Sequence, residues 1–325
     1  MLRKYLIRDE RALSVANSQS GGDREPEQPL AVPPTAVVIQ RGGSGTECAG
    51  SLSAWRTAAV TKSIRETRMN SKSSSHNATI IGQFSRQAVP FAALPGHSDS
   101  IQMLVEMCCI KGVETVLDVA CGPGLVACVF ARHAKHVSGI DITPKMIEEA
   151  TARQISNGLT NMDWKIGDIT RLPFEDASFS VVVTRYSFHH LLDPKAALVE
   201  MIRVCKPGGK VLVADVVQPP EKAEAYDALE ILRDPSHVHA LTYPEMEAIV
   251  LQSGLVRVKT ARYKVDGEVE KQLGASFPNL GDEEKIRNLF KADLERDRLG
   301  IDVRLSGGEI HFSVPILVLV GEKPA

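Results

Sequence analysis

Apolar residues in the middle of the chain change between two spacings. A short apolar run that ends at Asp118 passes into a C-G-P-G turn at 121–124; apolar positions then follow at helical spacing from Leu125 to Phe130, and a second apolar run closes at Asp141. Short continuous runs are typical of buried strands, and the three-to-four spacing is typical of a helix. The stretch 116–141 therefore predicts a strand, a turn, a helix and a second strand of an α/β sheet.

Later segments continue this alternation of strands and helices. Pro144 and the Asp193-Pro194 pair are typical helix starts, and Thr242 is a typical N-cap. A fourth, fully buried strand is predicted ahead of Thr184. The other predicted strands are 161–166, 210–217, 256–265 and 310–320, and the predicted helices are 98–109, 144–157, 193–206, 242–254 and 283–298.

The first 70 residues follow neither spacing. They are rich in Gly, Ser, Pro, Arg and Gln, as in GGDREPEQPLAVPP at 21–34, and we expect a disordered N-terminal extension of a domain at 71–325. Two alternatives stay open for the extension. An organellar transit peptide is opposed by acids such as Asp9 and Glu25. An over-extended gene model would make Met69 the natural start, and peptides from residues 10–60 in cells would exclude that start.

Composition narrows the class of protein. The 325 residues are 43% hydrophobic, enough for one large domain or two, and a net charge of -2 gives no general attraction to nucleic acid or to an anionic membrane. None of the six cysteines forms a C-x-x-C pair, so no zinc site or disulfide framework is indicated, and a reducing cytoplasm fits best. No apolar run approaches the roughly 20 residues of a membrane span.

The first turn has the chemistry of a nucleotide or nucleoside site. Gly122 and Gly124 allow a sharp turn and a close approach to a ligand, and Asp141 ends the next strand, where an acid can accept from ribose hydroxyls. Residues 122–127 also satisfy the loose dinucleotide fingerprint G-x-G-x-x-G/A. Asp118 favours the other ligand class, because a carboxylate repels a diphosphate but holds the ammonium of an amino acid or its bound water.

Three motifs together resemble one enzyme family. D-V-A-C-G-P-G at 118–124, L-P-F-x-D-x-x-F at 172–179 and E-M-I-R-V-C-K-P-G-G at 200–209 are similar to the class I S-adenosylmethionine-dependent methyltransferases, in particular the small-molecule branch typified by ubiquinone/menaquinone C-methyltransferases. Ala120 stands where the family usually carries Gly, and Ser180 where it carries Asp. The resemblance covers about residues 84–325. It implies a Rossmann-like, seven-stranded, mostly parallel sheet of order 3-2-1-4-5-7-6, with strand seven antiparallel and helices on both faces.

The resemblance also implies S-adenosylmethionine as the cofactor and a set of residues that bind it. Met146 would touch the adenine, and Asp168 would accept from its amino group, although core packing and a solvated turn are the alternatives. The full predicted cofactor set is Asp118, Ala120, Gly122, Gly124, Asp141, Ile142, Met146, Asp168, Ile169 and Arg185.

The candidate catalytic residues follow the fourth strand. His189 and His190 are candidate general bases, and Tyr186 or Arg185 could orient an acidic substrate. A structural or cofactor-shaping role is the alternative for the two histidines. His237 and His239 form a second pair of candidates, for which an ordinary surface loop is the alternative.

Three segments are expected to cover the substrate, namely 80–100, 218–241 and 265–309. In the first, Phe84 and Phe91 would line the substrate side, or simply pack in the core. Segment 218–241 shows no clean period, and 265–309 contains the charged helix 283–298. That helix is a lid or a homodimer contact, with a solvated face as the default.

The sequence therefore predicts methyl transfer to oxygen, carbon or nitrogen of a small organic acceptor. Nucleic-acid substrates are disfavoured by the charge balance and by the absence of N/D-P-P-Y/F or Pro-Cys after strand four. No cluster of Asp and Asn near Asp215 indicates a catalytic metal. Two alternatives stay open. One is a non-catalytic S-adenosylmethionine-binding module; the other, a nicotinamide-dependent oxidoreductase, is disfavoured by Asp118 and the lack of a Tyr-x-x-x-Lys pair.

Overall fold

A computed structural model of the chain describes residues 72–90 and 100–325. The expectations for the 1–70 extension, for a start at Met69 and for Phe91 concern residues outside these ranges. In the described part of the chain, no helix is both long enough and apolar enough to cross a membrane.

A mixed β-sheet forms the centre of the fold. Its order is β3-β2-β1-β4-β5-β8-β6, with the short β7 paired to β8 beside this path. The first five strands pair in parallel, whereas β8 is antiparallel to both β5 and β6. The strands are β1 Thr115–Val119, β2 His136–Asp141, β3 Met162–Ile166, β4 Phe179–Arg185, β5 Cys205–Val216, β6 Val256–Glu268, β7 Arg304–Ser306 and β8 Glu309–Glu322.

The predicted fold class is confirmed, and the strand count differs by one. The strand predicted as the seventh is β8, and it holds the predicted antiparallel place between β5 and β6. The additional strand β7 forms a hairpin with β8 across Gly307 and Gly308, both of which have positive φ angles. A Gly-Gly pair between two strands is a typical hairpin signal, so this strand could have been found in the sequence.

Helices cover both faces of the sheet. Neighbouring residues of β1 show this, because Val116 packs into one apolar core and Leu117 into a second core on the other face. A first helix, α1, runs through residues 72–90. The others are α2 Ile101–Cys108, α3 Leu125–Ala131, α4 Pro144–Ser156, α5 Pro194–Val204, α6 Pro220–Arg233, α7 Tyr243–Leu251, α8 Val269–Ala275 and α9 Asp282–Asp293.

Proline and N-cap residues predicted where helices begin, whereas the spacing of apolar residues missed one helix. α4 and α5 begin at the predicted prolines, and Thr242 caps α7 through a capping box with Glu245. No helix was predicted in the segment 218–241, although α6 occupies most of it. The buried positions of α6 include Tyr226 and Glu230, and this mixture of apolar and charged residues hides the helical period.

Candidate functional site

The turn after β1 has an unusual backbone. Ala120, Gly122 and Gly124 have φ angles of 56°, 52° and 76°, in the left-handed region. Glycine adopts this region freely, whereas a residue with a Cβ pays about 1 kcal/mol. Ala120 stands where the resembling family usually has glycine, so it adopts this conformation at an energetic cost. Strain of this kind concentrates at functional sites.

The two glycines of the turn have different surroundings. A Cβ added to Gly122 would meet nothing among the described residues within 4 Å. A Cβ added to Gly124 would lie 2.9 Å from Cη2 of Trp164 and 3.1 Å from Cβ of Ala150. Gly122 thus borders open space in which a ligand could lie. Gly124 allows close packing of the turn against β3 and α4.

Asp141 ties the turn to the end of β2. Its Oδ2 accepts from the backbone N–H of Gly122 at 2.9 Å, and its Oδ1 accepts from the N–H of Thr143 at 2.8 Å. Each carboxylate oxygen can accept a second hydrogen bond. Burial raises the pKa of Asp141, against the opposing effect of these backbone donors. The side chain is therefore held in place with acceptor capacity still available.

Asp118 lies beneath the turn and is only 1% exposed. Its Oδ2 accepts from the N–H of Ala127 in α3 at 3.0 Å. Burial raises the pKa of Asp118 to about 7, while the positive charge of Arg185 acts in the opposite direction. Arg185 also places its guanidinium 4.5 Å from the centre of the Tyr186 ring. The positive charge of Arg185 thus acts on Asp118, one of the predicted cofactor residues.

The predicted adenine-side residues divide into buried and accessible ones. Met146 and Ile169 are 2% and 7% exposed, and Ile169 belongs to an apolar core, whereas Ile142 is partly exposed. Asp168 accepts from the N–H of Thr170 at 2.8 Å and from Nδ2 of Asn77 in α1 at 2.8 Å. Asp168 therefore connects the end of β3 to α1, a contact that no sequence signal indicated.

Helix α1 also reaches the region after β4. The His76 ring nitrogen Nε2 lies 2.7 Å from the carbonyl oxygen of His190, and the Phe84 ring meets the His190 ring edge-on with centroids 5.0 Å apart. Nδ2 of Asn77 and Nε2 of His76 thus make contacts on the two sides of the site. This helix spans from the predicted cofactor residues to the candidate bases.

Asp215 organises the segment after β4. Its carboxylate accepts from the N–H groups of Ser187 at 2.8 Å, Phe188 at 2.6 Å and Val216 at 2.7 Å. The same carboxylate lies 2.5 Å from Nδ1 of His189. These bonds fix the 3₁₀ turn Phe188–His190 at the end of the strand. Asp215 was missing from the predicted site, although an acid at the carboxyl end of a strand is a usable signal.

The two adjacent histidines have opposite electrostatics. Burial lowers the pKa of His189, but the charge and hydrogen bond of Asp215 outweigh that effect and the net pKa is raised. For His190, burial and the neighbouring His189 lower the pKa to about 3. Nδ1 of His190 lies 3.1 Å from the carbonyl oxygen of Ser236. His190 is therefore neutral near pH 7, whereas His189 can take up a proton.

His237 and His239 share one carboxylate. Nε2 of His237 lies 2.7 Å from Oδ1 of Asp227, and Nδ1 of His239 lies 2.6 Å from Oδ2 of the same residue. His239 also contacts Glu245 at 3.1 Å. Neither histidine is among the described residues that line the cavity next to the end of β4. The His237 ring nevertheless lies near both other candidate bases, with its centroid 5.6 Å from that of His189 and 6.3 Å from that of His190.

A cavity of about 320 Å³ lies beside the end of β4. Tyr186, His189 and His190 all line it, so the three predicted catalytic residues come together. Phe84 of α1 lines it as well. The cavity is within the usual size range of small-molecule sites. The predicted cofactor residues Asp118 of β1, Asp141 of β2 and the turn that follows β1 are absent from its lining.

Comparison with known proteins agrees with this geometry. Residues 117–213, which include the glycine turn and the strand-four segment, match the family model described as a methyltransferase domain. The resemblance drawn from the motifs is thereby confirmed.

Individual relatives support the same assignment. The chain is 27% identical over 231 residues to the uncharacterized methyltransferase YcgJ of Bacillus subtilis, covering 70% of this chain and 91% of that protein. The crystal structure of YcgJ has a TM-score of 0.65 at 25% identity and covers 70% of this chain and 100% of that one. The ubiquinone/menaquinone biosynthesis C-methyltransferase UbiE of Desulfotalea psychrophila is 36% identical over 110 residues, which are 33% of this chain and 44% of that protein.

The quinone relative thus aligns over less than half its length. In seven curated matches other than YcgJ, UbiE among them, the aligned region spans between 28% and 62% of the relative. The match over residues 117–213 contains all of the predicted cofactor residues. The three segments predicted to cover the substrate, 80–100, 218–241 and 265–309, lie entirely outside this match.

Proposed function

We propose that the protein transfers a methyl group from S-adenosylmethionine to a small organic acceptor. When bound, S-adenosylmethionine supplies an electrophilic methyl group, which its sulfonium activates. The observation that carries the proposal is the arrangement of Asp141, Gly122 and Asp118. Asp141 is held in place with spare acceptor capacity, Gly122 borders open space, and Asp118 is a second, buried carboxylate. All three lie within one strand–turn–helix–strand unit.

The two carboxylates at the turn, Asp141 and Asp118, fit a nucleoside that carries a cationic amino acid. Asp141 would accept from the ribose hydroxyls, and Asp118 would balance the ammonium. Asp168, at the end of β3, would bind on the adenine side. A dinucleotide would bring a diphosphate toward two carboxylates, and this repulsion argues against it.

The acceptor would occupy the cavity next to β4. Its lining comes from α1, α6, α8, α9, β6 and β8 as well as from the turn after β4, so protein surrounds it on several sides. Such a cavity excludes water from the reacting atoms and orients the acceptor, which are the protein's main contributions to a methyl transfer. Its volume supports a small molecule, and the net charge of -2 argues against a nucleic acid.

The affinity for S-adenosylhomocysteine is expected to fall at low pH. Because burial raises the pKa of Asp118 to about 7, this carboxyl is protonated below that pH in the free protein and must lose its proton to hold the ammonium. Kd should therefore increase about tenfold for each pH unit below 7. Isothermal titration calorimetry between pH 6 and 8, in buffers of different ionisation enthalpy, measures both Kd and the released proton.

The matched control for this titration is Asp118→Asn. It should bind more weakly than the wild type at pH 8, and its Kd should no longer depend on pH. A wild-type Kd that is constant from pH 6 to 8 would contradict the role of Asp118. Binding of NAD in preference to S-adenosylhomocysteine would contradict the proposed function.

A further inference from the structure

The loop between α6 and α7 binds the turn that carries His189. This loop comprises residues 234–242, and the N–H groups of Val238 and His239 donate to the carbonyl oxygen of His189 at 2.9 and 3.1 Å. The ring of His190 also contacts the loop, because its Nδ1 lies 3.1 Å from a carbonyl oxygen there. The loop therefore supports the cavity wall that the two adjacent histidines help to form.

The side chain of His239 connects the loop to both flanking helices. Its Nδ1 lies 2.6 Å from Oδ2 of Asp227 in α6, and its Nε2 lies 3.1 Å from Oε2 of Glu245 in α7. A neutral imidazole carries a proton on only one nitrogen, so the lone pair of the other nitrogen would face a carboxylate. Only the imidazolium can donate to both carboxylates. This bridge between the helices therefore depends on one proton.

Two carboxylates determine the charge around the His239 ring. The other titratable groups nearby are His237 of the same loop, which shares the Asp227 carboxylate through Nε2 at 2.7 Å, and His189, whose ring is paired with a different aspartate. Burial lowers the pKa of His239, but the hydrogen bonds and charges of Asp227 and Glu245 outweigh that effect, and the net pKa is raised. The imidazolium therefore persists to a higher pH than that of an ordinary histidine.

Both carboxylates have further donors that do not depend on this proton. Asp227 accepts from the N–H of Ala240 at 2.8 Å. Glu245 accepts from the N–H and the hydroxyl of Thr242 at 2.8 and 2.7 Å, as part of the capping box of α7. These bonds keep the carboxylates in place when His239 is neutral. The neutral ring must then move away from one of them.

We propose that His239 is a protonation switch that controls how firmly the loop 234–242 holds the His189 turn. The protonated ring ties the loop to α6 and α7, and the N–H groups of the loop stay on the His189 carbonyl. Loss of the proton frees the ring from one carboxylate and loosens the loop. The inference concerns this loop and does not depend on the proposed methyl transfer.

The direction of the switch follows from the raised pKa of His239. A group whose pKa is higher in the folded than in the unfolded protein stabilises the fold fully below its unfolded value, which for histidine is about 6.5. That stabilisation is lost as the pH rises through the raised value. The loop is therefore held tightly in mildly acidic solution and becomes looser in alkaline solution.

Amide hydrogen exchange of the full-length protein measures the hold on the turn. In the wild type, protection of the Val238 and His239 amides, corrected for the intrinsic effect of pH, should fall about tenfold between about pH 6 and pH 9. In His239→Gln, the amides at 238 and 239 should be weakly protected throughout this range. His136→Gln removes another partly exposed histidine, which lies 2.6 Å from Asp163, and it should keep the wild-type pH dependence.

Glu245→Gln tests whether His239 is the group that titrates. The amide keeps an oxygen for Thr242 but removes a negative charge beside the ring. The midpoint of the exchange change, and that of the His239 ring signal in an NMR titration, should both move to lower pH by about half a unit, a threefold change in the protonation equilibrium.

Three results would overturn the inference. One is constant protection of the wild-type amides over this pH range. The second is a pH dependence that persists in His239→Gln, since it would then belong to another group such as His189. The third is an unshifted midpoint in Glu245→Gln. If His239→Gln does not fold, the wild-type and Glu245→Gln measurements decide.

Discussion

Asp141→Asn will weaken S-adenosylhomocysteine binding by about 100-fold while the protein stays folded. The asparagine keeps one acceptor oxygen but replaces the other with a donor, so it can no longer serve the N–H groups of both Gly122 and Thr143 and also accept from two ribose hydroxyls. Hydrogen bonds to charged groups contribute roughly 1.5–3 kcal/mol each, and a loss of about 3 kcal/mol is a factor of about 100 in Kd. Calorimetric titration measures it.

Asp141→Ala would be a poorer test, because it removes both backbone contacts and would lower stability as well. Asp163→Asn provides a matched control. Asp163 lies on the neighbouring strand, where its exposed carboxylate contacts His136 and Ser138, away from the glycine turn. This variant should bind S-adenosylhomocysteine within twofold of the wild type. If Asp141→Asn also does so while its unfolding temperature is unchanged, Asp141 does not hold the ribose.

Asp215→Ala will lower the free energy of unfolding by about 3 kcal/mol or more. The carboxylate is 1% exposed and accepts from the N–H groups of Ser187, Phe188 and Val216 in addition to the His189 ring. A buried donor left without its acceptor costs about 1–3 kcal/mol. Several such donors would be left at once. Urea denaturation followed by circular dichroism measures the change.

The control for this variant is Asp193→Ala. Asp193 also accepts a backbone hydrogen bond, from Ala196 at the start of α5, but it is exposed and serves one donor. Loss of such an N-cap costs about 1 kcal/mol. If Asp215→Ala is no more destabilised than Asp193→Ala, then Asp215 does not fix the turn after β4. The positioning of His189 would then need another explanation.

The parts of the fold that were predicted correctly depend on neighbours in sequence. Pro144, the Asp193-Pro194 pair and Thr242 with Glu245 set helix starts within three or four residues, so their effect is visible locally. The glycine turn is similar, since the positive φ angles of Gly122 and Gly124 are ones that glycine adopts freely. Helix α6 was missed because its buried face contains Tyr226 and Glu230, which periodicity counts as exposed or neutral.

The parts of the site that were missed depend on tertiary contacts. Asp215 meets the turn that begins 28 residues earlier, and Asn77 meets Asp168 across 91 residues. No pattern in the sequence pairs them. His189 and His190 are adjacent and chemically identical in sequence. Only the contact of one with Asp215 and of the other with Ser236 separates a group that can take up a proton from one that stays neutral.

One crystal structure would test the central claim most directly. The protein should be crystallised with S-adenosylhomocysteine and NAD present in equal excess. We predict electron density for S-adenosylhomocysteine, with its ribose hydroxyls on Asp141 and its ammonium beside Asp118. Density for NAD, with diphosphate oxygens over Gly122 and Gly124, would contradict the assignment of the methyl donor.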